Sequence, residues 1–211
     1  MILYRFVRGA ILVVARLYWR LNIEGKEHVP PDGAFVLAPV HRSFIDFGLV
    51  SGVTPRRMRY MAKDSLWKVS WFGRFISRLG AYPVHRGGAD REALRRTIEV
   101  LERGEPVVIF PEGTRRSGPV VENLFEGAAY VAAKLRVPVV PVGIGGSERA
   151  LRKGEKVPRP VKIHVVVGEP LHPPSADGSH VPRRAVHELT TQLQAEVQRL
   201  FDEAQKKAGV A

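Results

Sequence analysis

Short β-branched runs alternate with helical stretches along most of this chain, and that alternation limits the folds open to it. Ala34 to Ala38, Met58 to Met61, Gly80 to His85, Pro106 to Phe110, Val139 to Ile144 and Val161 to Val167 read as strands. Ser43 to Ser51, Ser65 to Leu79 and Phe125 to Leu135 read as helices between them. Asp90 caps a further helix whose core face is Leu94, Ile98 and Leu101, closed by Gly104. A C-terminal helix over 183–207 carries Val186, Leu189, Leu193, Val197, Leu200 and Ala204 on one face. Strands that are apolar on both sides need cover on both faces. The expected fold is therefore α/β: a mostly parallel central sheet flanked by helices. In such sheets chemistry gathers in the loops at the carboxyl ends of strands.

At 211 residues, with 45% hydrophobic and 26% charged side chains, the chain is long enough for one folded core and too apolar for long-range disorder. The absence of cysteine excludes disulfides, thiolate catalysis, iron–sulfur clusters and cysteine-bound zinc. The formal net charge is +12, and it is uneven: residues 1–91 hold fifteen basic and six acidic side chains, residues 92–211 eighteen and fifteen. A basic amino-terminal half points to an anionic partner, be it nucleic acid, lipid headgroups or a phosphorylated small molecule.

Residues 1–21 narrow that choice. The stretch Ile2 to Leu21 is apolar but interrupted by Arg5, Arg8, Arg16 and Arg20, and its longest arginine-free run is seven residues, Gly9 to Ala15. Such a run is too short to span a bilayer and too broken for a signal peptide. On a helical projection the four arginines fall within an arc of about 120°, with Leu12 and Trp19 inside it. Leu3, Phe6, Val7, Ala10, Val13, Val14 and Leu17 take the other side. Two compatible readings follow: an amphipathic helix lying on an anionic membrane surface, and a surface helix packed on its own domain. The expected organisation is an interfacial helix over 1–21 and a single domain over 22–211.

Three strand ends carry chemistry. After the first strand, His41 and Asp46 stand five residues apart, and an imidazole folded back onto the carboxylate would make a general base and the group that fixes its tautomer. Ser43 and Asp46 also have the spacing of a helix capping box, which accounts for Asp46 but not for His41. After Gly80–Val84 come His85 and Arg86 beside two glycines; after Pro106–Phe110 come Glu112, Gly113, Thr114, Arg115 and Arg116. Guanidinium groups on glycine-bounded loops suit a phosphate or carboxylate, and equally suit a solvated turn.

His41-x4-Asp46, Gly80-Ala81-Tyr82-Pro83-Val84-His85-Arg86, Phe110-Pro111-Glu112-Gly113-Thr114-Arg115 and Val137-Pro138-Val139-Val140-Pro141-Val142 together resemble the four ordered motifs of the glycerolipid acyltransferases, most of all the bacterial lysophosphatidate acyltransferase type. The likeness covers roughly residues 22–170. It departs at Val40, where the family often has Asn, and at His85 and Arg116, where acidic and Ser residues are common.

The resemblance implies transfer of a fatty acyl group from acyl-CoA or acyl-carrier protein, as donor substrate and with no bound cofactor, to the free hydroxyl of 1-acyl-glycerol-3-phosphate (lysophosphatidic acid). His41 would be the base and Asp46 its orienting partner. Arg86 and Arg115 would hold the acceptor phosphate, Glu112 an arginine or a glycerol hydroxyl, with Lys63 and Arg116 as secondary candidates. Backbone N–H groups near Gly113 and Thr114 would be available to an oxyanion. The expected location is peripheral or monotopic on the cytoplasmic face of the cell membrane.

Related acceptors (glycerol-3-phosphate, another lysophospholipid, a glycolipid) compete with that reading. From other classes come a catalytically inert lipid-binding module and a nucleic-acid-binding protein. The last would need exposed aromatics interleaved with basic residues, and none are patterned that way. No metal is expected, because His28, His85, His164, His172, His180 and His187 show no ligand spacing.

Overall fold

The computed structural model describes residues 2–84, 91–173 and 181–210, the side chain of Lys63 excepted. Helix α1 (Ile2–Tyr18) precedes strand β1 (Asn22–Glu24), and then β2 (Val36–Pro39), α2 (Asp46–Val50), β3 (Arg59–Lys63), α3 (Ser70–Arg78) and β4 (Ala81–Val84) follow in order. The remainder is α4 (Arg91–Glu102), β5 (Val107–Val108), α5 (Gly127–Leu135), β6 (Val139–Gly145), α6 (Ser147–Ala150), β7 (His164–Val167) and α7 (Arg183–Ala208). The seven strands form one sheet in the order β1-β7-β6-β2-β5-β3-β4. Neighbours are parallel except β6 and β7, so the sheet is mostly parallel, as the patterning predicts.

The order fixes the layers. The chain steps from β2 to β3 to β4 toward one edge, then returns through β5 to β6. Right-handed crossovers therefore place α2 and α3 on one face and α4 and α5 on the other. The packing agrees: α4 lies against α5, and α5 against α7, while α1 lies against α2. Every residue of β2 and β6 is buried. On β6 the glycines are required: a Cβ on Gly143 or Gly145 would overlap the α7 backbone at Leu200 and Ala204.

Several elements are shorter than the patterning suggests. The strand expected over Pro106–Phe110 is regular only at Val107 and Val108, with Ile109 N–H still donating to the Leu37 carbonyl at 2.9 Å, because Phe110 already turns into the loop that carries Glu112. The stretch Ser65–Leu79 divides into a 3-10 turn, Asp64–Lys68, and α3. Val69, the residue between them, is extended (φ −95°, ψ 101°). Strand β1 pairs with β7, although its three residues carry little pattern of their own.

The prolines of β6 have different reasons. Pro138 stands just before the strand, whereas Pro141 lies inside it, in an interior strand rather than at an edge. The Pro141 carbonyl accepts from Gly168 N–H at 2.9 Å, one residue beyond β7, so the missing donor faces the point where that ladder ends. Val139, Val140 and Val142 are fully buried and belong to the core.

Helix α1 packs on its own domain and leaves one apolar side exposed. Tyr4, Leu12 and Ala15 form a narrow buried strip on the arginine side, where Arg8 Nε donates to the Ser51 carbonyl at 2.7 Å. Phe6, Val13, Val14 and Leu17, the opposite apolar side, are exposed. Leu12 and Ala15 join the main core cluster, so α1 is an integral part of the domain. No described helix is long and apolar enough to cross a membrane.

Candidate active site

Strands β2, β5, β3 and β4 run parallel, so the loops after Pro39, Val108, Lys63 and Val84 leave at one end of the sheet. The chain departs from β2 toward β3 on one side and returns to β6 on the other, a topological switch point where open α/β sheets bind ligands. His41 is two residues beyond β2 at that point.

The imidazole and the carboxylate meet: His41 Nδ1 lies 3.0 Å from Asp46 Oδ2, and both side chains are buried. The same oxygen accepts the backbone N–H groups of Arg42 at 2.8 Å and Ser43 at 2.7 Å. The alternatives for Asp46 therefore merge, since it caps the first turn of α2 and holds the histidine. Only half of the capping box forms, because Ser43 Oγ donates to the Leu151 carbonyl instead. Asp46 opens α2, three residues later than the expected helix start, because its carboxylate is turned back onto that loop.

A carboxylate at Nδ1 requires the proton there and leaves Nε2 as the basic nitrogen. Nε2 has no partner among the described residues. The ring is wedged between Phe110, with centroids 4.1 Å apart, and Phe47, at 5.2 Å edge-on. Nearby, Tyr60 has a buried hydroxyl with no partner among the described residues, and burial pushes its pKa well above the ordinary phenol value.

Glu112 holds an arginine, and that arginine is Arg42. Arg42 Nη1 donates to Glu112 Oε1 at 2.7 Å and Oε2 at 2.5 Å. Glu112 Oε1 also accepts His41 N–H at 2.9 Å. The rest of the guanidinium is used by the carbonyls of Gly118 at 3.2 Å and Val120 at 3.0 Å, and its face lies over Phe201. Arg116 N–H closes the loop onto the His41 carbonyl at 3.0 Å. A buried ion pair thus ties the loop after β2 to the loop after β5.

Sequence reasoning missed Arg42. Its position beside His41 was the available signal, but an arginine in a loop ordinarily reads as solvated, whereas this one is 1% exposed.

The other expected residues fall into distinct places. Gly113 has φ +67°, and a Cβ there would strike the Phe125 ring. Its N–H donates to the Phe110 carbonyl at 3.0 Å, which withdraws it from any oxyanion. Thr114 and Arg115 are partly exposed on the same loop, and Arg115 has no ion pair among the described residues. The Arg116 side chain pairs with Glu122 at 3.0 Å. Lys63 ends β3 opposite Val84, and its side chain, like His85 and Arg86, lies outside the described residues.

Comparison with known proteins gives the family. Residues 20–145 match the acyltransferase family. The 1-acyl-sn-glycerol-3-phosphate acyltransferase of Bacillus subtilis is 33% identical over 183 residues, 86% of this chain and 88% of that one. The Streptococcus pneumoniae protein of the same name is 26% identical over 96% of this chain and 75% of its own. The crystal structure of the 1-acyl-sn-glycerophosphate (LPA) acyltransferase PlsC from Thermotoga maritima superposes with a TM-score of 0.77 at 27% identity, over 95% of this chain and 80% of that one. The chain belongs to the acyltransferase family, and its likeness within it is to the PlsC-type 1-acyl-sn-glycerol-3-phosphate acyltransferases.

Proposed function

We propose that this protein transfers a fatty acyl group from a thioester, acyl-CoA or acyl-carrier protein, to the free hydroxyl of 1-acyl-sn-glycerol-3-phosphate, giving phosphatidic acid. The observation that carries the mechanism is the His41–Asp46 pair, with Nδ1 held at 3.0 Å and Nε2 unengaged among the described residues. An alcohol is a weak nucleophile at neutral pH until a base takes its proton during attack. Nε2 takes that proton as the hydroxyl oxygen bonds to the thioester carbonyl carbon. Asp46 stabilises the imidazolium that results. The tetrahedral intermediate then expels the thiolate, which takes the proton back from Nε2. The chain has no cysteine and the Ser43 hydroxyl is engaged with the Leu151 carbonyl at 2.7 Å, so attack is direct, within a complex of both substrates.

Arg115 and Arg86 are assigned the acceptor phosphate, with Lys63 and Arg116 as further cationic candidates and Thr114 N–H as an oxyanion donor. Glu112 acts by holding Arg42 and the His41 backbone in place. The exposed apolar side of α1 seats the protein on an anionic membrane surface, as a peripheral or monotopic protein of the cytoplasmic face. Both acceptor and product are lipids of that surface.

Mass spectrometry of the products tests the assignment. Purified protein is given palmitoyl-CoA or palmitoyl-acyl-carrier protein with lysophosphatidic acid, glycerol-3-phosphate or lysophosphatidylcholine. Phosphatidic acid formed from lysophosphatidic acid, and lost in His41→Ala, is the expected result. A product from another acceptor alone would move the activity elsewhere in the family.

A further inference from the structure

We infer that α3 and the 3-10 turn before it form a second lipid-contact element, separate from α1, that docks on an anionic bilayer. The inference rests on the proposal that the acceptor is a membrane lipid, and it adds where on the molecule the membrane is met. Trp71, Arg74, Phe75 and Arg78 follow a spacing of three, one and three residues, which aligns them on one side of α3. All four are exposed, Trp71 to 67%. Leu66, Lys68 and Val69 extend the exposed strip into the preceding turn. The helix does not turn this side outward for want of an inner one, since Trp67 packs over Gly73 and its indole N–H donates to Ser77 Oγ at 2.9 Å.

Contrary to the expectation from sequence, α3 does interleave aromatic and basic residues on one exposed strip, and such a strip suits the boundary between headgroups and acyl chains. The rings enter the apolar layer while the guanidinium groups reach back to lipid phosphates. The charge is one-sided: no acidic residue occurs between Asp64 and Asp90, whereas Lys68, Arg74 and Arg78 are exposed within that stretch. Right-handed crossovers place α3 on the same face of the sheet as α2, and α1 packs on α2. The exposed apolar side of α1 and the α3 strip thus belong to one layer of the molecule. Helix α3 also leaves from the carboxyl end of β3, the end of the sheet that carries His41, so docking there would hold the site at the bilayer surface.

Flotation of the full chain with vesicles tests this. Vesicles are phosphatidylcholine alone or with three-tenths phosphatidylglycerol. Each of Arg74→Gln and Arg78→Gln is expected to weaken partition onto the anionic vesicles about fivefold, with little change on neutral ones. Trp71→Ala/Phe75→Ala should weaken partition onto both by about tenfold or more. Turnover of detergent-dispersed lysophosphatidic acid should stay at the wild-type rate, which separates this inference from the activity it builds on. In vesicles of brominated lipid, quenching of tryptophan fluorescence should fall in Trp71→Phe, a change that leaves an aromatic ring in place. Unchanged partition in both sets of variants would overturn the inference and leave α1 as the contact. Loss of turnover in detergent, or of activity with acyl-carrier protein alone, with partition unchanged, would also overturn it and assign the strip to a protein partner or to the site.

Discussion

His41, Asp46, Arg42 and Glu112 are four side chains gathered beyond two strand ends; Asp46 accepts two backbone N–H groups and Glu112 one, each besides a side chain. Removing one member therefore does more than delete a charge. Arg42→Met leaves Glu112 buried without its cation, and Glu112→Gln does the converse. Either is expected to cost about 3–5 kcal/mol, while Arg42→Met/Glu112→Leu recovers much of it. Chemical denaturation of the three variants checks this, and additive losses in the double variant would contradict the reading. Arg115 has no ion pair to lose among the described residues, so Arg115→Lys should leave stability unchanged. It should raise the acceptor KM severalfold, because lysine cannot reproduce a two-donor fork. An unchanged acceptor KM would take the phosphate from Arg115. At this scale the sequence was legible for residues defined by chemistry, His41 and Asp46, through their spacing after a strand. It was mute on Arg42, since burial of an arginine depends on carbonyls at Gly118 and Val120 that lie far along the chain.

The elements make α1 the sharpest case. Its broad apolar side faces solvent, while it docks through the narrow strip Tyr4, Leu12 and Ala15, beside which Arg8 is partly buried and Arg5 and Arg16 stay exposed. Deleting residues 1–21 would remove Leu12, Ala15 and Trp19 from the core, so truncation confounds membrane binding with folding. Phe6→Ser/Leu17→Ser is the cleaner variant: vesicle binding should fall while the melting temperature holds. Leu12→Ala should do the opposite, costing about 2–5 kcal/mol. Vesicle binding by Phe6→Ser/Leu17→Ser at the wild-type level would remove α1 from the membrane. Periodicity marked α1 as amphipathic because its arginines cluster, but it could not say which side would dock. That choice is made by Ile11 and Leu12 meeting Gly48 and Gly52, contacts between segments far apart in sequence. Strand boundaries were legible at β6, where seven residues are buried, and misjudged at β5, where two pair.

At the scale of the whole molecule, a second titratable pair lies toward the β1 edge of the sheet, away from the switch point. On β7, two strands from β2, His164 is buried with Nε2 2.9 Å from Glu24 Oε1, and Glu24 also pairs with Lys207. Burial lowers the His164 pKa below its ordinary 6.5 despite the pull of Glu24. A histidine that resists protonation only when folded contributes stability that is present above pH 6.5 and lost as the pH falls below it. Between pH 7.5 and 5.5 the melting temperature of the wild type should therefore fall further than that of His164→Gln, and equal falls would contradict this.

The proposed chemistry rests on His41 as the base, at the switch point of the sheet. Its most direct test is thiol release from palmitoyl-CoA in detergent, with and without lysophosphatidic acid, for wild type and His41→Ala. Release that depends on the acceptor and falls at least about a hundredfold in a folded His41→Ala protein is the predicted result. Near wild-type release by that variant would contradict the claim that His41 is the base.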